Sequence, residues 1–180
     1  MEIILAQEHH LPQVLDIQAR HHVSVLADKP ETGFLTYRCD LPTLAKIRLE
    51  LGIIVCIVDD VVVGYDMLMT YERAVSEQLY APMLNEYMAL KPQTDTSKLA
   101  VSAQYCVERQ FRGGTVVRAI FRKESELLKA AGYTASVGEV DQKNRSSLLT
   151  VTKMLGYKFV GEYKAADGTS WDIVDKDHAK

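Results

Sequence analysis

The stretch Val101 to Ala131, VSAQYCVERQFRGGTVVRAIFRKESELLKAA, constrains the fold most, because it runs from an apolar strand through a short arginine- and glycine-rich turn into an amphipathic helix. That order predicts a strand and a crossover helix on one sheet, with the helix opening at Arg112, Gly113 and Gly114. The first N–H groups of a helix have no intrahelical acceptor, and the helix dipole adds positive potential there. Such an end suits an anion, for example a phosphate.

The rest of the chain supplies elements for the same sheet. Glu2 to Ala6 reads as a strand and His9 to Arg20 as a helix, with Leu11, Val14, Leu15 and Ile17 at helical spacing and Pro12 in its first turn. A loop through Asp28, Lys29, Pro30 and Gly33 leads to Asp40, which is placed to cap a helix carrying Leu41, Leu44, Ile47, Arg48 and Leu51 and ending at Gly52. Ile53 to Val58 and Val61 to Thr70 read as strands joined by a tight turn at Asp59-Asp60. In Tyr71 to Ser97 the apolar spacing is helical while Pro82 opposes a helix interior, so a helix is expected to start near Pro82. Next come the strand Leu99 to Val107, the helix Thr115 to Ala131, the strand Thr134 to Val140 and the helix Ser146 to Leu155. Two strands, Phe159 to Tyr163 and Ser170 to Val174, turned at Asp167-Gly168, finish the chain. Hairpins combined with strand-helix-strand crossovers predict an α/β domain with a mixed sheet.

At 180 residues, 47% hydrophobic and 25% charged, the chain suffices for one globular domain over 1–180 with a sizeable core. Its longest apolar run, Gly52 to Val58, falls far short of the roughly 20 residues of a membrane helix. The start MEIILAQEHH lacks a basic-then-apolar signal pattern, so a cytoplasmic protein without membrane association is expected. Cys39, Cys56 and Cys106 show no CxxC or Cys/His spacing, which points to reduced core thiols rather than a disulfide framework or a zinc site. Neither His9-His10 nor His21-His22 makes a ready chelate, because neighbours on a helix point about 100° apart; no metal is expected. A net charge of −3 argues against a general nucleic-acid binder. Arg109, Arg112, Arg118, Arg122 and Lys123 nonetheless form a local basic cluster, open to reading as an anion site or as a solvated helix face.

The GxxxxGK[ST] and GxGxxG loops of nucleotide-binding proteins are absent. The turn Arg112 to Val117, taken with Val107 before it and with the later run NRSSLLTVTKMLGYKFVG from Asn144 to Gly161, resembles the GNAT superfamily of acyl-CoA-dependent N-acyltransferases. In that family a strand ends in an apolar residue, a turn of the form [RQ]xxGx[GA] opens a helix, and a later Asn precedes a helix closing on a Gly-aromatic pair, here Gly156-Tyr157. The resemblance covers most of the chain and implies a GNAT-like, mostly antiparallel central sheet of about seven strands flanked by helices. Two positions depart from the pattern: Thr115 and Val117 stand where the family has Gly and Gly or Ala, while the glycines here are Gly113 and Gly114.

What the resemblance implies is transfer of an acetyl group from acetyl-CoA to an amine of a small molecule or to an exposed amino group. The backbone of Cys106 and Val107 would pair with pantetheine, and the N–H groups of Arg112, Gly113, Gly114, Thr115, Val116 and Val117 would hold the pyrophosphate. Arg112, Arg118 or Arg122 would meet the remaining phosphate charge, and Asn144 would bond pantetheine, cap the following helix, or do both. A base must accept the amine proton and a donor must protonate the thiolate. Glu139 is the nominee for base, with a strand-end carboxylate in solvent or a partner for Lys143 as the structural alternatives. The tyrosine that many family members carry on the Asn-containing helix is missing; the aligned position is Val151, or Thr152 if an apparent one-residue insertion lies earlier. Tyr105 and Tyr163 are the substitutes, each also readable as a core or rim aromatic. Cys106 reads as a core residue rather than a nucleophile. The acceptor pocket is expected from 21–40 and 71–97, where Phe34, Tyr37, Tyr71, Tyr80 and Tyr87 accompany Glu72, Glu77 and Glu86. A homodimer is compatible with this reading. So is a non-catalytic acyl-CoA-binding or interaction domain, which Thr115, Val117 and the missing tyrosine would suit.

Overall fold

The computed structural model describes residues 1–26 and 33–179, so Asp28, Lys29 and Pro30 of the expected loop lie outside the described residues. Seven strands form one sheet: β1 (Glu2–Leu5), β2 (Ile53–Val58), β3 (Val61–Thr70), β4 (Leu99–Val107), β5 (Ala135–Asp141), β6 (Lys158–Lys164) and β7 (Ser170–Asp177). Their spatial order is β1-β2-β3-β4-β5-β7-β6, and every neighbouring pair is antiparallel except β4 with β5. This is the mixed, mostly antiparallel sheet expected from the sequence. Asp59 and Asp60 both adopt positive φ, 50° and 63°, as a two-residue hairpin requires.

Helices cover both faces. On one lie α1 (Leu11–His21), α2 (Leu41–Leu49), α3 (Tyr71–Ser76) and α4 (Ala81–Leu90); on the other lie α5 (Thr115–Ala130) and the short α6 (Arg145–Leu149). Strand β2 shows why its sequence is apolar throughout. Ile53 and Val55 feed the first layer and Ile54 and Cys56 the second, and all four are fully buried. Asp40 caps α2 as expected, accepting the Thr43 N–H at 2.8 Å. Pro82 falls in the first turn of α4, where its missing N–H costs nothing. Sequence periodicity missed α3, whose six residues bury only Ala74 and which is set by the Thr70 cap, Oγ1 accepting the Arg73 N–H at 3.1 Å. The expected helix Ser146 to Leu155 is also revised: α6 ends at Leu149 and the chain continues in a π-helical turn, Thr150–Met154. A π turn takes an extra residue, so this is where the suspected insertion is absorbed. No helix among the described residues is long and apolar enough to cross a membrane.

The sheet opens in its middle. Parallel pairing of β4 with β5 covers only Leu99–Val101 against Ala135–Val137. Gly138 permits the last close approach, since a Cβ there would stand 3.0 Å from the Ser102 carbonyl oxygen. On the other side of β4 the register against β3 jumps from Gln104 to Ser102, leaving Ala103 as an extra residue, and such a bulge bends its strand. Beyond this point β4 and β5 diverge. The cleft lies at their carboxyl ends, where α5 and α6 begin.

A polar chain crosses the second layer. Tyr157 Oη donates to Glu124 Oε1 at 2.7 Å and lies 3.0 Å from Ser136 Oγ, which in turn lies 2.9 Å from His178 Nε2. Asp66 and Glu124 are fully buried, and each keeps one oxygen without a hydrogen-bond partner among the described residues. Burial, then the Glu124 charge, raises the Asp66 carboxyl well above the carboxylate range; burial likewise raises Glu124.

Candidate functional site

The cleft holds two cavities that share Phe34, Leu35, Tyr105, Asn144 and Ser147 along their boundary. The first, about 300 Å³, runs from Cys106 and Val107 at the end of β4 past the Arg112 turn to the start of α5. Gly113 and Gly114 take φ of 136° and 99°, a region closed to most side chains, and Gly114 serves as the N-cap of α5. The Arg118 N–H closes the first helical turn on the Gly114 carbonyl at 3.0 Å. The N–H groups of Thr115, Val116 and Val117 therefore precede the intrahelical ladder and point out of the helix end. Val116 and Val117 are buried in the second apolar layer, and Val117 extends to the wall of the groove.

Arg112 lines this groove, but its guanidinium is engaged with the protein. Nε donates to the Val107 carbonyl at 2.9 Å, and Nη2 lies 3.2 Å from His21 Nδ1. His21 is buried, and its Nε2 meets Glu108 Oε2 at 2.9 Å. Because Nδ1 accepts from a guanidinium, the imidazole proton resides on Nε2 and is donated to Glu108. Arg20 Nε adds a bond to Glu108 Oε1 at 2.9 Å, so the end of α1 clamps the loop after β4. The clamp joins residues far apart in sequence, and no motif announces it. Arg118 stands beside the helix start: a Cβ on Gly114 would come within 3.4 Å of its Nε and 3.3 Å of Met154 Sδ. The π turn thus lays Met154 against the α5 terminus. Arg122 is exposed further along α5 and lines neither cavity.

Asn144 is buried and caps α6, its Oδ1 accepting the Ser147 N–H at 3.2 Å while its Nδ2 donates to the Phe34 carbonyl at 2.9 Å. It therefore ties the segment before α2 to the segment after β5, across the boundary of the cavities.

The second cavity, about 220 Å³, lies between the diverging strands under Tyr37, Leu79, Tyr80 and Trp171. Glu139, Asp141 and Asp167 line it, and among the described residues no Lys, Arg or His does. The first cavity has the opposite character, with Arg112, the helix terminus and, among the described residues, no carboxylate. Glu139 accepts the Tyr163 hydroxyl at Oε2, 2.5 Å away, rather than pairing with Lys143, and its Oε1 has no partner among the described residues. Burial pushes the Glu139 carboxyl up to about 7. Tyr163 is raised as well, by burial first and then by the Glu139 charge beside it.

Tyr105 projects to the other face of the sheet, where its ring meets Phe121 edge-on at 5.2 Å and its hydroxyl lies 3.0 Å from Ser147 Oγ. It lines both cavities, and burial pushes its hydroxyl up to about 12. Burial holds the Cys106 thiol up to about 12 as well, which keeps it protonated and unreactive. Glu72, Glu77 and Glu86 do not line either cavity, contrary to expectation; Glu77, at the C-cap of α3, instead faces Arg73 at 3.8 Å. Tyr71 and Tyr87 pack with the first core layer. The carboxylates that do line the site come from β5, where the sequence reading placed its candidate base Glu139, and from the β6–β7 turn, which it read only as a hairpin.

Neither a family model nor a curated protein sequence matches the chain. Solved structures do match in shape. An acetyltransferase of the GNAT family from Streptococcus pneumoniae superposes with a TM-score of 0.67 at 10% identity, over 98% of each chain. The yncA structure from Salmonella typhimurium, solved with its cofactor acetyl-CoA, gives 0.68 at 12% identity over 100% of this chain and 95% of its own. The ribosomal-protein-S18-alanine N-acetyltransferase from Escherichia coli gives 0.65 at 14% identity over 99% of this chain and 94% of its own. The architecture of this chain is therefore the GNAT fold.

Proposed function

We propose that this chain, built on the GNAT fold, transfers an acetyl group from acetyl-CoA to the amine of a small molecule or to an exposed amino group. The observation that carries this reading is the opposite charge of two cavities joined at Tyr105, Asn144 and Ser147, one suited to an anionic cosubstrate and the other to a cationic acceptor. The neighbours that carry N-acetyltransferase names or acetyl-CoA support it by analogy of fold.

Acetyl-CoA would supply an activated thioester carbonyl. The N–H groups of Thr115, Val116 and Val117 would face its pyrophosphate, with Arg118 as the adjacent cation and Gly113 leaving open space for close approach. Thr115 and Val117 would still offer the same donors as glycine, because the binding groups are backbone N–H. Past Val101 the β5-facing edge of β4 has no ladder partner among the described residues, leaving the backbone up to Cys106 for an extended arm, whereas the Val107 carbonyl is already used by Arg112.

An ammonium acceptor must lose a proton before its nitrogen can attack. Glu139, with a carboxyl held near about 7 and an open Oε1, is matched to accept it near neutral pH. Formation of the N–C bond accompanies loss of the C–S bond. Tyr105 Oη delivers a proton to the departing sulfur and recovers one from the amide nitrogen, so one proton in total leaves through Glu139. Ser147 keeps the Tyr105 hydroxyl oriented at the junction.

A calorimetric titration with acetyl-CoA, followed by an amine panel read by release of free CoA thiol, tests the reading. Binding heat with thiol release is expected. No binding heat and no shift in melting temperature at millimolar acetyl-CoA would overturn both coenzyme readings. Binding without thiol release from any amine would leave the non-catalytic acyl-CoA-binding alternative.

A further inference from the structure

We infer that the acceptor is a compact amine with an apolar body and no acidic group, chosen over the amino acid that differs from it only by an α-carboxylate. This rests on the proposed acetyl transfer and names the class of acceptor that the second cavity takes.

Three features of that cavity converge. Among the described residues its charged lining consists only of carboxylates from separate places, Glu139 and Asp141 on β5 and Asp167 in the β6–β7 turn. None of the three has a Lys, Arg or His within ion-pair distance among the described residues. Glu139 faces the cavity, largely buried, with Oε1 unpartnered among the described residues. Around these groups stand the rings of Phe34, Tyr37, Tyr80 and Trp171. Ring faces attract an ammonium and accept an apolar body, while the hydroxyl and indole N–H donors of these residues are neutral and leave a carboxylate's charge uncompensated.

Charge decides the selectivity. An ammonium entering here meets uncompensated negative charge, whereas an α-carboxylate on the same molecule is forced beside Glu139 and Asp141 in a partly dry space, with the exposed Asp167 adding a third like charge at the rim. Phosphorylated acceptors are disfavoured for the same reason. The cation that would offset such a group, Arg112, lies in the other cavity and is tied to His21 and Val107.

Four pairs isolate the carboxylate: phenethylamine with phenylalanine, tyramine with tyrosine, tryptamine with tryptophan, and putrescine with ornithine. The full chain is given acetyl-CoA and each compound for kcat/KM by thiol release, and binding of each compound alone is measured by calorimetry. The amine is expected to exceed its amino acid by at least about tenfold in both measurements, as repulsion between close, partly shielded like charges requires. Asp167→Asn keeps the acceptor for the Thr169 N–H, now 2.9 Å from Oδ1, while removing one charge. It is expected to raise KM for the amines and shrink the amine-to-amino-acid ratio with melting temperature unchanged. Amino acids that bind or react as well as their amines, a ratio unmoved by Asp167→Asn, or failure of every compound to bind alone would each overturn the inference. Failure of acetyl-CoA binding with the amine preference intact would instead sink the transfer reaction and leave the cavity's selectivity standing.

Discussion

Glu139 is the residue on which the proposed chemistry turns, and its environment explains why a plain glutamate could serve. Burial raises its carboxyl to about 7, while the Tyr163 hydroxyl opposes the rise by bonding the charged form. A base works only when deprotonated, so the acetylation rate should climb with pH through about 7 and level above it. Glu139→Gln should remove that limb and lower kcat by about 10² to 10⁴-fold, the usual contribution of a positioned base, with acetyl-CoA affinity unchanged in calorimetry. An intact pH limb in the variant would assign it to another group. Tyr105→Phe is expected to lower kcat while sparing KM for the amine, because the hydroxyl sits at the junction with Ser147 rather than among the carboxylates. Steady-state kinetics on the two variants separates the roles. The sequence could nominate Glu139, Tyr105 and Tyr163, but the Glu139 partner could not be read from it, because Tyr163 arrives from β6 across the intervening β7.

At the level of elements, the start of α5 and the cap of α6 face each other across the first cavity. Gly114 holds φ +99°, and a Cβ there would crowd Met154 at 3.3 Å. Gly114→Ala should therefore cost about 1–2 kcal/mol of stability from left-handed backbone strain and weaken acetyl-CoA binding by tilting the free N–H groups. Denaturant unfolding and calorimetry read the two effects. Asn144→Ala removes a helix cap and the tie to Phe34, with an expected loss of about 1–2 kcal/mol. It should also raise KM for both substrates, since Phe34 lies on the boundary of both cavities. An unchanged KM would show that the tie is dispensable for the site. The strand-turn-helix signal located α5 well, whereas the π turn was visible only as one residue too many between Asn144 and Gly156.

Across the whole molecule, the layer behind the cleft carries a cost that depends on pH. Asp66 and Glu124 sit fully buried with carboxyls raised by burial, so the folded state holds protons that the unfolded chain gives up. The stability this provides is complete below the ordinary carboxylate range and is lost as pH rises through the raised folded-state values. Melting temperature should consequently fall from mildly acidic to alkaline pH, and Glu124→Gln should flatten that slope while keeping an acceptor for Tyr157. A slope as steep in the variant as in the parent would place its origin elsewhere.

Local patterning determined what local physics controls: the apolar strands, the amphipathic α5, the Asp40 and Asn144 caps, the Asp59-Asp60 turn and the positive helix end at Gly113-Gly114. These follow from side-chain alternation, capping and backbone sterics within a few residues. Tertiary structure alone decided where β4 and β5 part, which carboxylates enter the gap, and that Arg112 is drawn onto His21 and Val107. Each depends on groups brought together from distant parts of the chain, where register, bulges and burial rather than sequence spacing set the distances.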